Sequence, residues 1–229
     1  MLQEKITDIF FDLDHTLWDF DRNSELAFDR IFRENHPEID TKQFVEIYAP
    51  INQACWKLYQ VDKISHDELR YKRLKDSFDA LSYSISDDAI HQMAIDYITF
   101  LPENNILFDG TIDILEYLNP NYKLHIITNG FAEVQYKKLK NAGIADYFIS
   151  VTNSEMAGVK KPHPSIFEYA VKAAKTSKEK SVMIGDCIDA DVRGALEYGM
   201  EAIYFNETKK EVSNEIKQIN QLIELKNIF

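Results

Sequence analysis

The 229-residue chain reads as an α/β fold: a doubly wound parallel sheet with an inserted block of four helices. Three observations predict it. From Phe108 onward, short apolar runs ending in polar or glycine residues alternate with segments of helix length. Between about Asn23 and Phe100, apolar residues recur only at three- and four-residue spacing, with no good strand candidate. No low-complexity tract, internal repeat or Gly/Ser linker breaks the chain into beads.

Taken in order, residues 7–13 (TDIFFDL) form a short buried strand that ends in carboxylates. Helical spacing then covers residues 24–32, 44–59, 68–78 and 89–100, and Ser65 with Glu68 stands in capping-box spacing ahead of the third. Residues 123–128 (KLHIIT) are the next strand, followed by a helix over 132–141 that Gly143 closes. A strand over 147–151 and a helix over 165–175 follow. Residues 181–185 (SVMIG) are a strand, 189–198 a helix closed by Gly199, and 202–205 another strand. The tail, 214–229, adds an edge strand and a last short helix. The expected division is a catalytic core of residues 1–17 and 104–229 around a helical insert of residues 18–103. In such sheets ligands bind beyond the carboxyl ends of the strands, so the chemistry is expected there.

Composition narrows the function. A hydrophobic share of 45% and a charged share of 28% describe an ordinary soluble domain able to bury a core. No apolar stretch approaches the ~20 residues that cross a bilayer, and MLQEKITDIF has no leader pattern, so a cytoplasmic location is expected. Cys55 and Cys187 stand far apart without CxxC spacing, which argues against a disulfide scaffold or structural zinc. A net charge of −12 argues against nucleic-acid polymers and acidic membranes as partners. An acidic protein that binds a phosphorylated ligand must concentrate positive charge locally, through a metal ion, a lysine or helix N-termini.

Four strand ends supply candidates. Asp12 and Asp14, in Asp12-Leu13-Asp14-His15-Thr16, would repel each other unless a cation sits beside them. One can bind Mg²⁺ and attack phosphorus, while the other protonates the leaving oxygen and then activates water; a carboxylate turn capping the next segment is the plain alternative. Thr128-Asn129-Gly130 offers a hydroxyl and backbone N–H groups to a phosphate, or is an ordinary strand-to-helix turn. In Gly158-Val159-Lys160-Lys161-Pro162, Lys161 adjoins the proline and can place its ammonium against phosphate and nucleophile; a surface loop is the bland reading. In Gly185-Asp186-Cys187-Ile188-Asp189-Ala190-Asp191, Asp186 is the direct Mg²⁺ ligand candidate. Asp191 lies behind it, orienting a metal-bound water or Lys161, and Asp189 reads as a helix N-cap.

Together these segments resemble the haloacid dehalogenase-like superfamily: FFDLDHTL its first motif, IITNG its second, GVKKPHPSIF its third and GDCIDAD its fourth. The likeness spans the chain in order, and the helical insert resembles the superfamily's C1-type cap. It implies a Rossmann-like core with Asp12 as nucleophile and Asp14 as general acid/base. Mg²⁺ would be held by Asp12, Asp186 and the backbone carbonyl of Asp14, and the phosphoryl group by Thr128, Asn129, Gly130 and Lys161. An Asp at position 14 favours phosphoryl transfer over dehalogenation.

FDLDHTLWDFDRN, with His15 and Trp18 as candidate substrate contacts, resembles the pyrimidine 5′-nucleotidase branch with its house-cleaning nucleotidases. The expected substrate is a small nucleoside monophosphate such as dUMP, UMP or dTMP. A sugar-phosphate phosphatase or a phosphomutase is the alternative; a non-catalytic binding module is disfavoured because Asp12, Asp14, Lys161 and Asp186 are all present. Trp18, Trp56 and Tyr59 read more readily as core aromatics than as base-stacking platforms. Arg70, Lys72 and Arg73 read as a solvated helix face. His36, His66, His91, His125 and His163 show no metal-ligand pairing, and Cys187 reads as packing. The oligomeric state is not legible.

Overall fold

The computed structural model describes residues 2–229. They divide into two compact units, Met1–Asp19 with Ile106–Phe229, and Phe20–Asn105. Trp18, at the edge of the expected insert, belongs to the first unit.

In the first unit a short helix α1 (Leu2–Lys5) precedes β1 (Asp8–Phe11), whose four residues are all buried. After the second unit, residues 20–105, come α6 (Thr111–Leu118), β2 (Lys123–Thr128), α7 (Ala132–Asn141), β3 (Phe148–Asn153), α8 (Ser154–Ala157) and α9 (Pro164–Ala173). Then follow β4 (Ser181–Gly185), a π-helical segment Ile188–Arg193 running into α10 (Gly194–Tyr198), β5 (Glu201–Phe205), β6 (Gln218–Ile219) and a 3₁₀ turn Leu222–Asn227. The six strands form one sheet in the order β3-β2-β1-β4-β5-β6, parallel throughout. The chain winds outward from β1 through β2 and β3, then crosses to β4 on the other side. The order reverses at β1, where sheets of this kind open a crevice at the strands' carboxyl ends. Register sets Phe11 beside Ile126 and Ile184, so the residues just beyond β1, β2 and β4 share one level.

The strands read as continuous apolar runs because both faces are covered. On one face, Phe10, Ile127 and Met183 pack with Ile166, Phe167, Val171 and Ala195. Among the polar exceptions is His125 in β2, fully buried, with Nε2 3.1 Å from Asp8 Oδ1 and Nδ1 2.8 Å from Ser150 Oγ. Burial pushes its pKa down, against the pull of Asp8.

Two stretches differ from the sequence expectation. Helix α6 carries apolar residues over only two turns, and Gly110 before it (φ +81°) reads as loop punctuation. The expected helix over 189–198 opens as a wide π turn, because Asp191 folds back to accept the Cys187 N–H at Oδ2 (2.9 Å). The cap on that turn is Cys187, whose Sγ accepts from Ala190 N (3.4 Å). Asp189 is not the N-cap; it is exposed and pairs with Arg193 at 2.6 Å.

The second unit is α2 (Phe20–Asn35), α3 (Thr41–Gln60), α4 (His66–Ala80), α5 (Asp87–Phe100) and a 3₁₀ turn, Leu101–Glu103. The Ser65/Glu68 capping box is formed in full. Aromatic rings fill its centre: Phe28 meets Phe32, Phe44, Tyr48 and Tyr97 with centroids 4.6–5.7 Å apart. The basic residues of α4 part company. Lys72 pairs with Asp76 near the surface, whereas Arg73 is 2% exposed and belongs to the core, so the solvated-face reading fails for it. Among the described residues, no helix is long and apolar enough to cross a membrane.

Candidate active site

Asp12, the first residue beyond β1, is tied to the end of β4 by its N–H donating to Ile184 O (2.9 Å). The chain then turns tightly, with the N–H groups of Thr16, Leu17 and Trp18 all directed at Leu13 O. His15 takes φ +61° at the bend, a left-handed conformation that histidine tolerates better than β-branched residues. The turn delivers Thr16 to Asp186: its Oγ1 accepts the Asp186 N–H at 3.1 Å and donates to Asp186 Oδ1 at 3.2 Å. Two strand ends are thereby fastened by one buried hydroxyl.

Lys161 enters from the loop before α9. Its backbone is clamped by one side chain, since Asn129 Oδ1 accepts the Lys161 N–H (2.8 Å) and Asn129 Nδ2 donates to Lys161 O (2.9 Å). The ammonium, 1% exposed as a residue, donates to Ile127 O (2.8 Å) and lies 2.9 Å from Asp12 Oδ1 and 2.7 Å from Asp191 Oδ1. Asn129 therefore works on the lysine loop through its side chain. Of the expected anion-binding turn, the Gly130 N–H is also taken, by Thr128 Oγ1 at 3.0 Å. That hydroxyl oxygen accepts from Gln135 Nε2 as well (3.1 Å), which leaves the Thr128 hydrogen to donate to a ligand.

The two carboxylates of the first motif part ways. Asp12, Asp186 and Asp191 each offer an oxygen, all within 4.8 Å of one another. The Asp14 carboxylate is held elsewhere, by Gln135 Nε2 on Oδ2 (2.8 Å) and Lys138 Nζ on Oδ1 (2.5 Å). In side-chain terms the acidic set thus includes Asp191, which the sequence reading put behind the metal, and not Asp14. Three carboxylates converging on one point are hard oxygen donors, the chemistry that suits a divalent cation such as Mg²⁺.

Gln135 and Lys138, both 2% exposed, and Thr16 are site residues the sequence reading missed. The first two sit three apart on α7, where polar residues look like a solvated face. The trace they leave in sequence is Gly130: a Cβ there would lie 1.5 Å from Gln135 Nε2. Gly185 records Asp191 in the same way, its would-be Cβ 2.3 Å from Asp191 Oδ2. His15 is half-buried and near enough for its charge to lower the pKa of Asp186. Trp18 is fully buried with Lys138 Nζ 4.2 Å from its ring centre, so it is a core residue and presents no free platform for a base. The Cys187 thiol is pushed up to about 12, chiefly by burial.

Burial dominates the electrostatics. It raises Asp12 to about 7, with Asp191 and Asp14 adding to the rise and Lys161 opposing it. It raises Asp186 to about 6, with Asp12 adding and His15 and Lys161 opposing, and it raises Asp191 as well. Burial alone would lower the Lys161 ammonium, but Asp12 and Asp191 more than offset that and hold it above the usual lysine value. Three carboxylates around one ammonium are short of positive charge, which a divalent cation would supply.

The family model for haloacid dehalogenase-like hydrolases matches residues 8–199. The pyrimidine 5′-nucleotidase PynA of Streptococcus pneumoniae is 32% identical over 200 residues, covering 86% of this chain and 83% of its own length. The glyceraldehyde 3-phosphate phosphatase of Pyrococcus abyssi is 32% identical over 202 residues, covering 86% and 80%. The crystal structure of the HAD-hydrolase YfnB from Bacillus subtilis, bound to magnesium, superposes with a TM-score of 0.87 at 28% identity and 98% coverage of each chain.

Proposed function

The chain belongs to the haloacid dehalogenase-like hydrolases, and from that premise we propose that it is a Mg²⁺-dependent phosphomonoester hydrolase of pyrimidine nucleoside monophosphates. The observation that carries the reading is the separation of the two motif carboxylates. Asp12 lies beside Lys161, while Asp14, two residues on, is oriented by Gln135 and Lys138.

Asp12 attacks phosphorus as the ester P–O bond breaks, and the leaving oxygen takes a proton from Asp14. Water then attacks phosphorus of the aspartyl phosphate, Asp14 takes its proton, and inorganic phosphate leaves with Asp12 restored. Lys161 and the Thr128 hydroxyl bind the equatorial oxygens, where charge gathers in the transition state. Asp191 fixes the Lys161 ammonium and Asn129 its backbone, so the cation is positioned before substrate arrives. Asp12 and Asp186, with the Asp14 carbonyl and with Asp191 at hand, would hold a Mg²⁺ ion that would supply neutralising charge to the transferred group. The helical unit is the substrate-selecting cap, and the enzyme acts in the cytoplasm.

Likeness to PynA supports the nucleotide substrate; likeness to the Pyrococcus phosphatase supports a second reading, a small sugar or triose phosphate on the same machinery. The test is phosphate release from a panel of nucleoside monophosphates and sugar phosphates, with Mg²⁺ and with chelator. Chelator-sensitive release that favours UMP, dUMP or dTMP is the expected result. Release favouring sugar phosphates refutes the nucleotide assignment, and near-normal turnover by Asp12→Asn refutes the covalent step.

A further inference from the structure

Arg73 in α4 is the buried cation that the catalytic cluster does not use. It is 2% exposed and, among the described residues, forms no ion pair. Its Nη1 donates to Asn52 Oδ1 at 3.2 Å, and its guanidinium carbon lies 5.0 Å from the centre of the Tyr97 ring. Its Nε and Nη2 are buried and, among the described residues, have no hydrogen-bond partner. The carboxylates that follow on α4 go elsewhere, Asp76 to Lys72 (2.7 Å) and Asp79 to Lys75.

The pattern of satisfaction is informative. The Nε–H and the nearer Nη2–H form the side-on edge of a guanidinium, two parallel donors spaced to meet two oxygens of one carboxylate or phosphoryl group. Asn52 takes the other end and is itself held by the Tyr48 hydroxyl (3.3 Å), so the fork is fixed in orientation. Around it stand Tyr48, Asn52, Ser24 and Tyr97, all buried, with the Ser24 and Tyr97 hydroxyls 2.9 Å apart. A protein that needed only packing here would carry a methionine or leucine. A buried guanidinium whose bidentate edge is unsatisfied is a costly feature that an anion would relieve.

We infer that the helical unit contains a second anion site, in which the Nε/Nη2 edge of Arg73 receives a two-oxygen anionic group, a carboxylate or a phosphoryl group. The group belongs to a separate effector anion, because the nucleoside monophosphates proposed as substrates carry no acid function beyond the phosphate that reacts.

The test uses the full chain labelled with ¹⁵N-arginine, following the Arg73 Nε–H resonance, identified by its loss in Arg73→Lys, as sodium formate and then sodium sulfate are added. The expected result is a saturable downfield shift of that resonance, while exposed Arg193 drifts without saturating. In Arg73→Lys, which keeps the charge but lacks the fork, formate should stabilise the fold at concentrations roughly tenfold or more higher, the loss of one charge-assisted hydrogen bond. A formate-dependent change in kcat that Arg73→Lys abolishes would support the effector role. An Arg73 resonance that drifts linearly like that of Arg193 overturns the site. The readout needs no turnover, so it fails or holds separately from the phosphatase reading.

Discussion

Gly130→Ala is a sharp probe of how the Asp14 carboxylate is held. The new methyl carbon would sit 1.5 Å from Gln135 Nε2 and 2.5 Å from its Cδ. Gly130 does not have a left-handed φ, so the backbone can keep its course and the side chain of Gln135 must leave. Its departure breaks the hydrogen bond to Thr128 Oγ1 (3.1 Å) and the charge-assisted one to Asp14 Oδ2 (2.8 Å). The first is worth about 1 kcal/mol and the second about 1.5–3 kcal/mol. Asp14 keeps Lys138 and its side chain is 20% exposed, so water replaces part of the second bond. Replacing glycine returns about 0.4–1 kcal/mol through the unfolded chain. The net loss of stability is about 1–3 kcal/mol. With Asp14 less well oriented, kcat should fall about 10–100-fold, the range by which small misplacement slows an enzyme. Gln135→Ala should reproduce both effects. In that background Gly130→Ala should cost almost nothing, because the three atoms nearest the new methyl, all of the Gln135 side chain, are gone. Urea midpoints and phosphate-release rates for the four proteins of this cycle decide the matter. Equal damage from Gly130→Ala with and without Gln135 would refute the reasoning.

Three further outcomes follow from the same site. Asp12 and Asp186 are raised by burial, so the folded protein without metal holds protons that the unfolded chain has released. Its stability should therefore be unpenalised below about pH 4 and fall as pH rises through about 6 to 7; Mg²⁺ should raise Tm more at pH 8 than at pH 5, and an equal gain at both would refute this. Asp186→Ala should weaken Mg²⁺ activation and recover activity at high metal, whereas no recovery at any concentration would remove Asp186 from the ligand set. Lys138→Met keeps the stem against Trp18 but removes the charge at Asp14, and should lower kcat about tenfold or more with KM little changed; a change confined to KM would assign Lys138 to substrate binding instead.

The sheet, its winding and the four-helix block were legible because burial leaves a periodic trace: strands covered on both faces are unbroken apolar runs, and amphipathic helices repeat at three and four. The capping box at Ser65 and Glu68 is local chemistry and could be read from four consecutive residues. Asp12, Lys161, Asp186 and Thr128 were legible because each stands at the end of a strand or opening of a helix that the pattern had already located. Helix α6 escaped because two turns carry too little periodicity, and the π turn escaped because it depends on where Asp191 points. Arg73 shows the same limit from the other side, since a charge on a helix does not declare whether it faces solvent or core.

The sequence by itself determined which elements form and which polar residues lie at their ends. Only the tertiary structure decided which of those residues share a centre. It joined Asp191 to Asp12 and Asp186, gave Asp14 to Gln135 and Lys138, and turned Asn129 toward the backbone of Lys161. The physical reason is that local propensity and periodicity act over a turn or two of chain. The direction of a side chain among residues a hundred or more positions away is set by packing and by the need to satisfy every buried charge.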